Sequence, residues 1–359
     1  MINIKNRIKT FYSCKGCGFT AQKWLGRCPS CYAWNSFEEK KEQPYKVSKK
    51  PSSEPEVKPV DLGSIPQETE QRINIGFNEL DNVLGGGLVR GSVILIGGPP
   101  GIGKSTLMLQ TAEKLSRKLS AVYVSGEESA TQIKSRAVRL GIQPDRMALV
   151  TDNNIESVLN YLENHKTDCV VIDSIQTMFH ASSQGSPGSA AQIRECAQFF
   201  VNYAKRKDTA VFILGHITKE GEIAGPKLLE HLVDAVLYFE AEKHNSTRML
   251  RVHKNRFGPV SEMAVFEMTS AGLIEVNDSS GYFIKNDFGR VPGSCAVSVM
   301  EGTKVIFLEV QALLSKVNFG FPKRMVTGYD YNRVSFLIAL LENKLGLSLI
   351  HISEPTRPY

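Results

Sequence analysis

The chain has 359 residues, 42% hydrophobic and 22% charged, an ordinary globular composition that is too long for one typical domain. No apolar run approaches the roughly 18 residues of a membrane span, and residues 1–10 alternate Ile with Asn, Lys and Arg instead of forming a signal's apolar core, which argues against a membrane or exported protein and for a cytoplasmic one. The net charge of +6 is lopsided: residues 1–59 hold 12 Lys/Arg against 5 Asp/Glu while the rest is near balance, so the amino-terminal end suits an anionic partner such as nucleic acid.

Residues 11–37 hold Cys14-x2-Cys17-x10-Cys28-x2-Cys31. Two C-x2-C knuckles at this separation are a tetrathiolate signature, and Gly16, Gly18, Pro29 and Ser30 allow the tight turns. Structural zinc is the favoured reading; a rubredoxin-like iron and a redox dithiol are the alternatives. Cys169, Cys196 and Cys295 sit in apolar or small-residue settings and are expected to be buried, reduced thiols. An odd total of seven without a signal argues against a disulfide framework. Residues 38–62 are rich in Pro and charge and poor in large apolar residues, which predicts a flexible linker.

From Ile73 the pattern changes. Strand-sized apolar runs at 93–96, 121–124, 169–172, 210–214 and 235–239 alternate with amphipathic stretches at 105–119, 155–164 and 190–205. That alternation predicts an α/β domain over 63–276 with a mostly parallel sheet covered on both faces. Runs 248–252 and 263–268 predict further strands, parallel or antiparallel. Short strands return after Gly281, and Val334, Leu337, Ile338 and Leu341 have helical spacing over 332–345, with Gly346 to stop the helix.

The strongest chemical signal is Gly98-Pro99-Pro100-Gly101-Ile102-Gly103-Lys104-Ser105, which follows an apolar strand and opens a helix. Such a loop turns successive N–H groups toward phosphate oxygens, helped by the helix N-terminus. The nucleotide-binding set is therefore Gly98 to Ser105 with Thr106, in which Lys104 reaches the β- and γ-phosphates and Ser105 holds Mg²⁺. Asp173 ends the apolar run Val170-Val171-Ile172 and is the second Mg²⁺ carboxylate. Glu127 follows the strand 121–124, and a parallel sheet turns its strand carboxyl ends toward the ligand. We assign Glu127 as the base that orients water and Glu128, at capping-box spacing from Ser125, as helix cap; the plainer reading is that both glutamates only cap. His216 ends another strand, as a γ-phosphate sensor or as a satisfied core histidine. Lys254 and Arg256, in Lys254-Asn255-Arg256-Phe257-Gly258, either face solvent or act as fingers on a neighbouring subunit's phosphate.

Together these residues resemble the RadA family, also called Sms, of bacterial DNA repair and recombination ATPases. Trp24-Leu25-Gly26-Arg27-Cys28-Pro29 is similar to the family's zinc finger. Gly76-Phe77-x2-Leu80-Asp81-x2-Leu84-Gly85-Gly86-Gly87 and the P-loop resemble its RecA-type core. Lys254–Gly258 matches the KNRFG motif that separates the family from RecA and from KaiC-like ATPases. Gln311-Ala312-Leu313 and Gly328-Tyr329-Asp330-x-Asn332-Arg333 resemble the start of a Lon-protease-like α+β domain, here 277–349, while 350–359 departs from the family, as a truncated or foreign end would.

The resemblance implies a homo-hexameric ring that hydrolyses ATP, moves on single-stranded and branched DNA, and extends intermediates made by the RecA recombinase. It also implies that Lys254 and Arg256 act at the neighbour's nucleotide. A KaiC-like protein-binding switch and an ATP-dependent protease are the competing readings.

Overall fold

The computed structural model describes residues 10–15, 20–21, 23–24, 26–29, 33–41, 72–143, 147–183, 185–216, 226–241, 246–277, 279–284, 292–313 and 324–346. Cys17, Cys31, residues 42–62 and the tail 350–359 lie outside them. The chain divides into two compact units, 1–67 and 68–359.

In the first unit, β1 (Thr10–Cys14), β2 (Thr20–Ala21) and β3 (Phe37–Lys41) pair antiparallel in the order β2-β1-β3. Cys14, Cys28 and Phe37 are buried together against Ala21, the only such cluster among the unit's described residues. Glu38–Lys41 pair with Ser13–Thr10, so the module runs four residues into the span read as linker.

The second unit opens with β4 (Arg72–Ile73), α1 (Asn78–Val83) and β5 (Leu88–Val89). The alternating region follows: β6 (Val93–Gly98), α2 (Lys104–Ser116), β7 (Ala121–Ser125), α3 (Ala130–Arg139), β8 (Met147–Val150), α4 (Ile155–Asn164), β9 (Cys169–Asp173), α5 (Ala190–Lys207), β10 (Ala210–His216), a short α6 (Pro226–Leu229) and β11 (Ala235–Ala241). Then come β12 (Thr247–Asn255), β13 (Met263–Thr269) and β14 (Gly272–Glu275). All belong to one nine-stranded sheet of order β14-β13-β12-β11-β6-β10-β9-β7-β8. Pairings from β11 to β8 are parallel, and those from β11 to β14 antiparallel.

Burial on both faces explains the continuous apolar runs. Ile94, Ile96, Val171, Phe212 and Leu214 pack with Leu107 and Met108 of α2 on one face. Their sequence neighbours Val93, Leu95, Val170, Ile172, Val211 and Ile213 pack with α4 and α5 on the other. Each such side chain contributes about 1.5–3 kcal/mol on burial, so covering both faces outweighs strand propensity in fixing the sheet.

Helices α3, α4 and α5 start at side-chain caps, whereas α1 and α2 do not. Asn154 and Ser189 accept from Ser157 N and Gln192 N at the starts of α4 and α5. Helix α3 is capped by the reciprocal pair Ser129 and Gln132. This corrects the assignment of Glu128 as cap: its N–H donates to Ser125 Oγ at 3.0 Å in the preceding turn, and its carboxylate pairs with Arg136.

Cys169 and Cys196 are buried, and burial pushes both thiols up to about 12. Cys295 is exposed, contrary to expectation. It lies on β15 (Ser294–Glu301), which forms a two-stranded hairpin with β16 (Lys304–Gln311) after the short α7 (Ser279–Tyr282), and a two-stranded sheet cannot cover both of its faces. The hairpin packs Ile306 against Met263 and Val265. Helix α8 (Tyr331–Leu345) starts where Asp330 accepts from Arg333 N and ends at Gly346 with φ 65°; none of its residues is buried. Among the described residues no helix is long and apolar enough to cross a membrane.

Candidate nucleotide site

Four neighbouring strands, β6, β10, β9 and β7, end at one edge of the sheet. The loop after β6 is the glycine-rich segment, β10 ends in His216, β9 in Asp173, and Glu127 follows β7. Parallel pairing therefore gathers into one row residues separated by more than a hundred positions in the chain.

Gly103 adopts φ 116° immediately before α2, a conformation that a side chain disfavours. Lys104 is the first residue of α2 and is buried. Its Nζ donates to Gly98 O at 2.8 Å, Pro99 O at 3.0 Å and His216 Nδ1 at 3.2 Å. Since Nδ1 accepts, the imidazole proton sits on Nε2, which donates to Glu127 Oε1 at 3.0 Å. Ser174 Oγ donates to the same oxygen. The row is thus one connected network, Lys104–His216–Glu127–Ser174. Burial lowers the Lys104 ammonium to about 8, against the opposing pull of Asp173 and Glu127. The His216 hydrogen bond, joined by that of Ser174, holds the Glu127 carboxyl below its usual range, so it is ionised at neutral pH.

Asp173 is buried, and Tyr123 OH donates to its Oδ2 at 2.6 Å. Burial and the Asp173 charge raise the Tyr123 phenol, which stays a donor. Pro99, Pro100 and Gly101 are exposed at the loop crest, while Ser105 and Thr106 are half-buried in the first turn of α2. Arg248 of β12 reaches across to donate its Nε to Ile102 O at 3.1 Å, bracing the loop from behind. Beside Glu127, an open cleft of about 380 Å³ runs between the ends of β7 and β8.

Sequence reasoning missed Ser174, Tyr123 and Arg248. Ser174 was accessible in principle as a hydroxyl directly after Asp173; the other two carry no local signal.

Lys254 and Arg256 are not in this row. Asn255 pairs with Ala235 on β11, which pairs with Ile94 on β6, four residues before Gly98. They therefore lie toward the opposite, amino edge of the parallel strands, about 13 Å along the strand from the start of the loop. Lys254 Nζ donates to Glu230 O at 2.6 Å and Val233 O at 2.8 Å. Arg256 Nη1 pairs with Asp234 Oδ1 at 3.1 Å, and the buried Asp234 also accepts from Lys205 Nζ and from Val93 N. Asn255 Oδ1 accepts from Phe257 N and shapes the turn, and a Cβ on Gly258 would stand 2.8 Å from Gly85 Cα. Cys14 and Cys28, one from each knuckle, are buried together in the first unit.

This sheet order, glycine-rich loop and row of strand-end residues define a P-loop ATPase of the RecA-like α/β class. Residues 59–222 match the family model of an AAA domain, and 12–39 that of a rubredoxin metal binding domain. The DNA repair protein RadA of Listeria monocytogenes is 46% identical over 96% of this chain and 76% of its own length. That of Bacillus subtilis is 44% identical with the same coverage. The solved structure of a KaiC-like protein from Pyrococcus horikoshii aligns with 57% of this chain and 99% of its own, at 20% identity and a TM-score of 0.48. The chain belongs to the RadA family of DNA repair proteins.

Proposed function

We propose that this chain is a DNA-stimulated ATP hydrolase that assembles as a homo-hexameric ring in the cytoplasm, moves along single-stranded DNA and promotes branch migration of intermediates made by the RecA recombinase. One observation carries the reading: the hydrolytic row lies at the carboxyl edge of the sheet, while Lys254 and Arg256 lie toward its amino edge. In a head-to-tail ring the amino edge of one subunit meets the carboxyl edge of the next, so each nucleotide is shared by two subunits.

Within that site the amides of Gly98–Thr106 hold the phosphates and the Lys104 ammonium spans the β- and γ-groups. Ser105 and the buried Asp173 are oxygen donors of the kind Mg²⁺ takes. Bound MgATP supplies the reacting phosphoryl group and the cation that neutralises its charge. Glu127 accepts the proton of the attacking water, with His216 and Ser174 fixing its orientation. Phosphate binding draws Lys104 away from His216 Nδ1, so the end of β10 registers the γ-phosphate. Arg256, held by Asp234, and Lys254 report to the neighbour. The test is ATP hydrolysis with and without single-stranded DNA: the rate is expected to rise with DNA, and a rate indifferent to DNA overturns the reading.

We read residues 11–37 with β3 as a metal module, 63–276 as the ATPase domain and 277–349 as the opening of a Lon-protease-like domain. The burial of Cys14 and Cys28 in one cluster fits a closed tetrathiolate site, and the four thiolates would hold a structural zinc ion. Metal analysis is expected to give about one zinc per chain. Cys28→Ser releases it while the ATPase domain, a separate compact unit, keeps its basal activity. Iron in its place contradicts the zinc assignment.

A further inference from the structure

The first unit presents two indoles to solvent. Trp24 is 52% and Trp34 70% exposed. They are the chain's two tryptophans. A small hairpin frames them: Cys28 N donates to Ala33 O at 3.0 Å and Asn35 N to Gly26 O at 2.9 Å, with Arg27 opposite Trp34. The Arg27 guanidinium carbon lies 5.5 Å from the Trp34 ring centroid. The ring of Trp24 stands 3.8 Å from where a Cβ would sit on Gly26. Lys23, next to Trp24 in the chain, and Arg27 are exposed, in the segment that carries the chain's positive excess; Lys15, also exposed, is paired with Glu38.

We propose that this face of the module binds a nucleic-acid strand with unpaired bases, the indoles stacking on bases and Arg27 and Lys23 meeting phosphates. Large aromatic faces left in water beside cations are the pairing that single strands use: every base offers a π-face, and the backbone supplies the anion. A duplex hides its base faces, so it offers the cations a partner but the indoles none. The module would then hold the strand independently of nucleotide in the ATPase domain. The inference rests on the proposed function only for the source of the strand, single-stranded DNA.

Because both tryptophans lie in the module, emission from the intact protein reports on this face alone. Titration with oligothymidylate, without ATP, is expected to quench it, and a duplex of equal length to quench it far less. Trp34→Ala, read by anisotropy of a labelled oligonucleotide, is expected to weaken binding about tenfold, and Trp34→Phe to recover most of it. Basal ATP hydrolysis stays unchanged in both. Oligonucleotide binding seen by anisotropy without quenching, or equal quenching by duplex, overturns the proposal. Quenching without any stimulation of hydrolysis leaves it standing and removes the motor reading instead.

Discussion

Glu127→Gln lowers the rate of ATP hydrolysis by about 10²–10⁴-fold, the span typical of a lost general base, and leaves ATP affinity close to the parent value. Among the described residues, the donors that reach Glu127, from His216 Nε2 and Ser174 Oγ, converge on Oε1. The other carboxylate oxygen remains to accept from water. A glutamine can still accept from His216 and Ser174 through its one oxygen, so local structure survives. Its amide nitrogen accepts no proton, so the chemistry stops. Single-turnover hydrolysis beside equilibrium binding of ATP separates the two effects. Normal hydrolysis in this variant would reduce Glu127 to a residue that shapes the turn before α3.

Lys104→Ala has the next largest effect. In this structure the ammonium is held by two loop carbonyls and His216, a set of acceptors that phosphate oxygens replace. A hydrogen bond to a charged group is worth about 1.5–3 kcal/mol, so ATP affinity falls roughly 10- to 100-fold and hydrolysis is lost with it. The depressed ammonium adds a pH signature. With a proton affinity near 8 in the free enzyme, Lys104 is charged at pH 7 and loses its proton as pH rises past 8. ATP requires the charged form, so the parent's dissociation constant is flat below about pH 7 and rises by up to about tenfold per unit above 8. The weak residual binding of Lys104→Ala should lack that rise. Titrations at pH 6.5 to 9.5 check both, and a parent affinity that is level across this range contradicts the assignment.

The parts of the fold legible in sequence are those whose signal is local. The strands β6, β7, β9, β10 and β11 announce themselves as apolar runs because both faces are buried. Helices α4, α5 and α8 show amphipathic spacing and, for the last, a terminal glycine. Strand β8 was missed, and helix α3 was signalled only by a cap read one residue early, at Glu128 instead of Ser129: α3 buries only Ile133 and Ala137, and β8 is a four-residue edge strand with no fully buried position. Residue types suited to nucleotide chemistry were readable from the loop and from polar residues at strand ends. Their connection was not. His216 joins Lys104 to Glu127 only because β10 inserts between β6 and β9, an order that no local pattern specifies. Arg248 likewise reaches Ile102 across β11 and β6. Cys295 shows the converse failure, since alternation identifies a strand without saying which face will be covered.

The shared site is tested most directly by mixing two inactive proteins. Lys104→Ala lacks the loop cation but keeps Lys254 and Arg256; Arg256→Ala lacks the finger but keeps the loop. Each alone is expected to hydrolyse ATP poorly in the presence of single-stranded DNA. In mixed rings some interfaces pair an intact loop with an intact finger, so DNA-stimulated hydrolysis is expected to return in proportion to co-assembly. Mixtures shown to co-assemble that recover no activity would contradict a site completed by the neighbouring subunit.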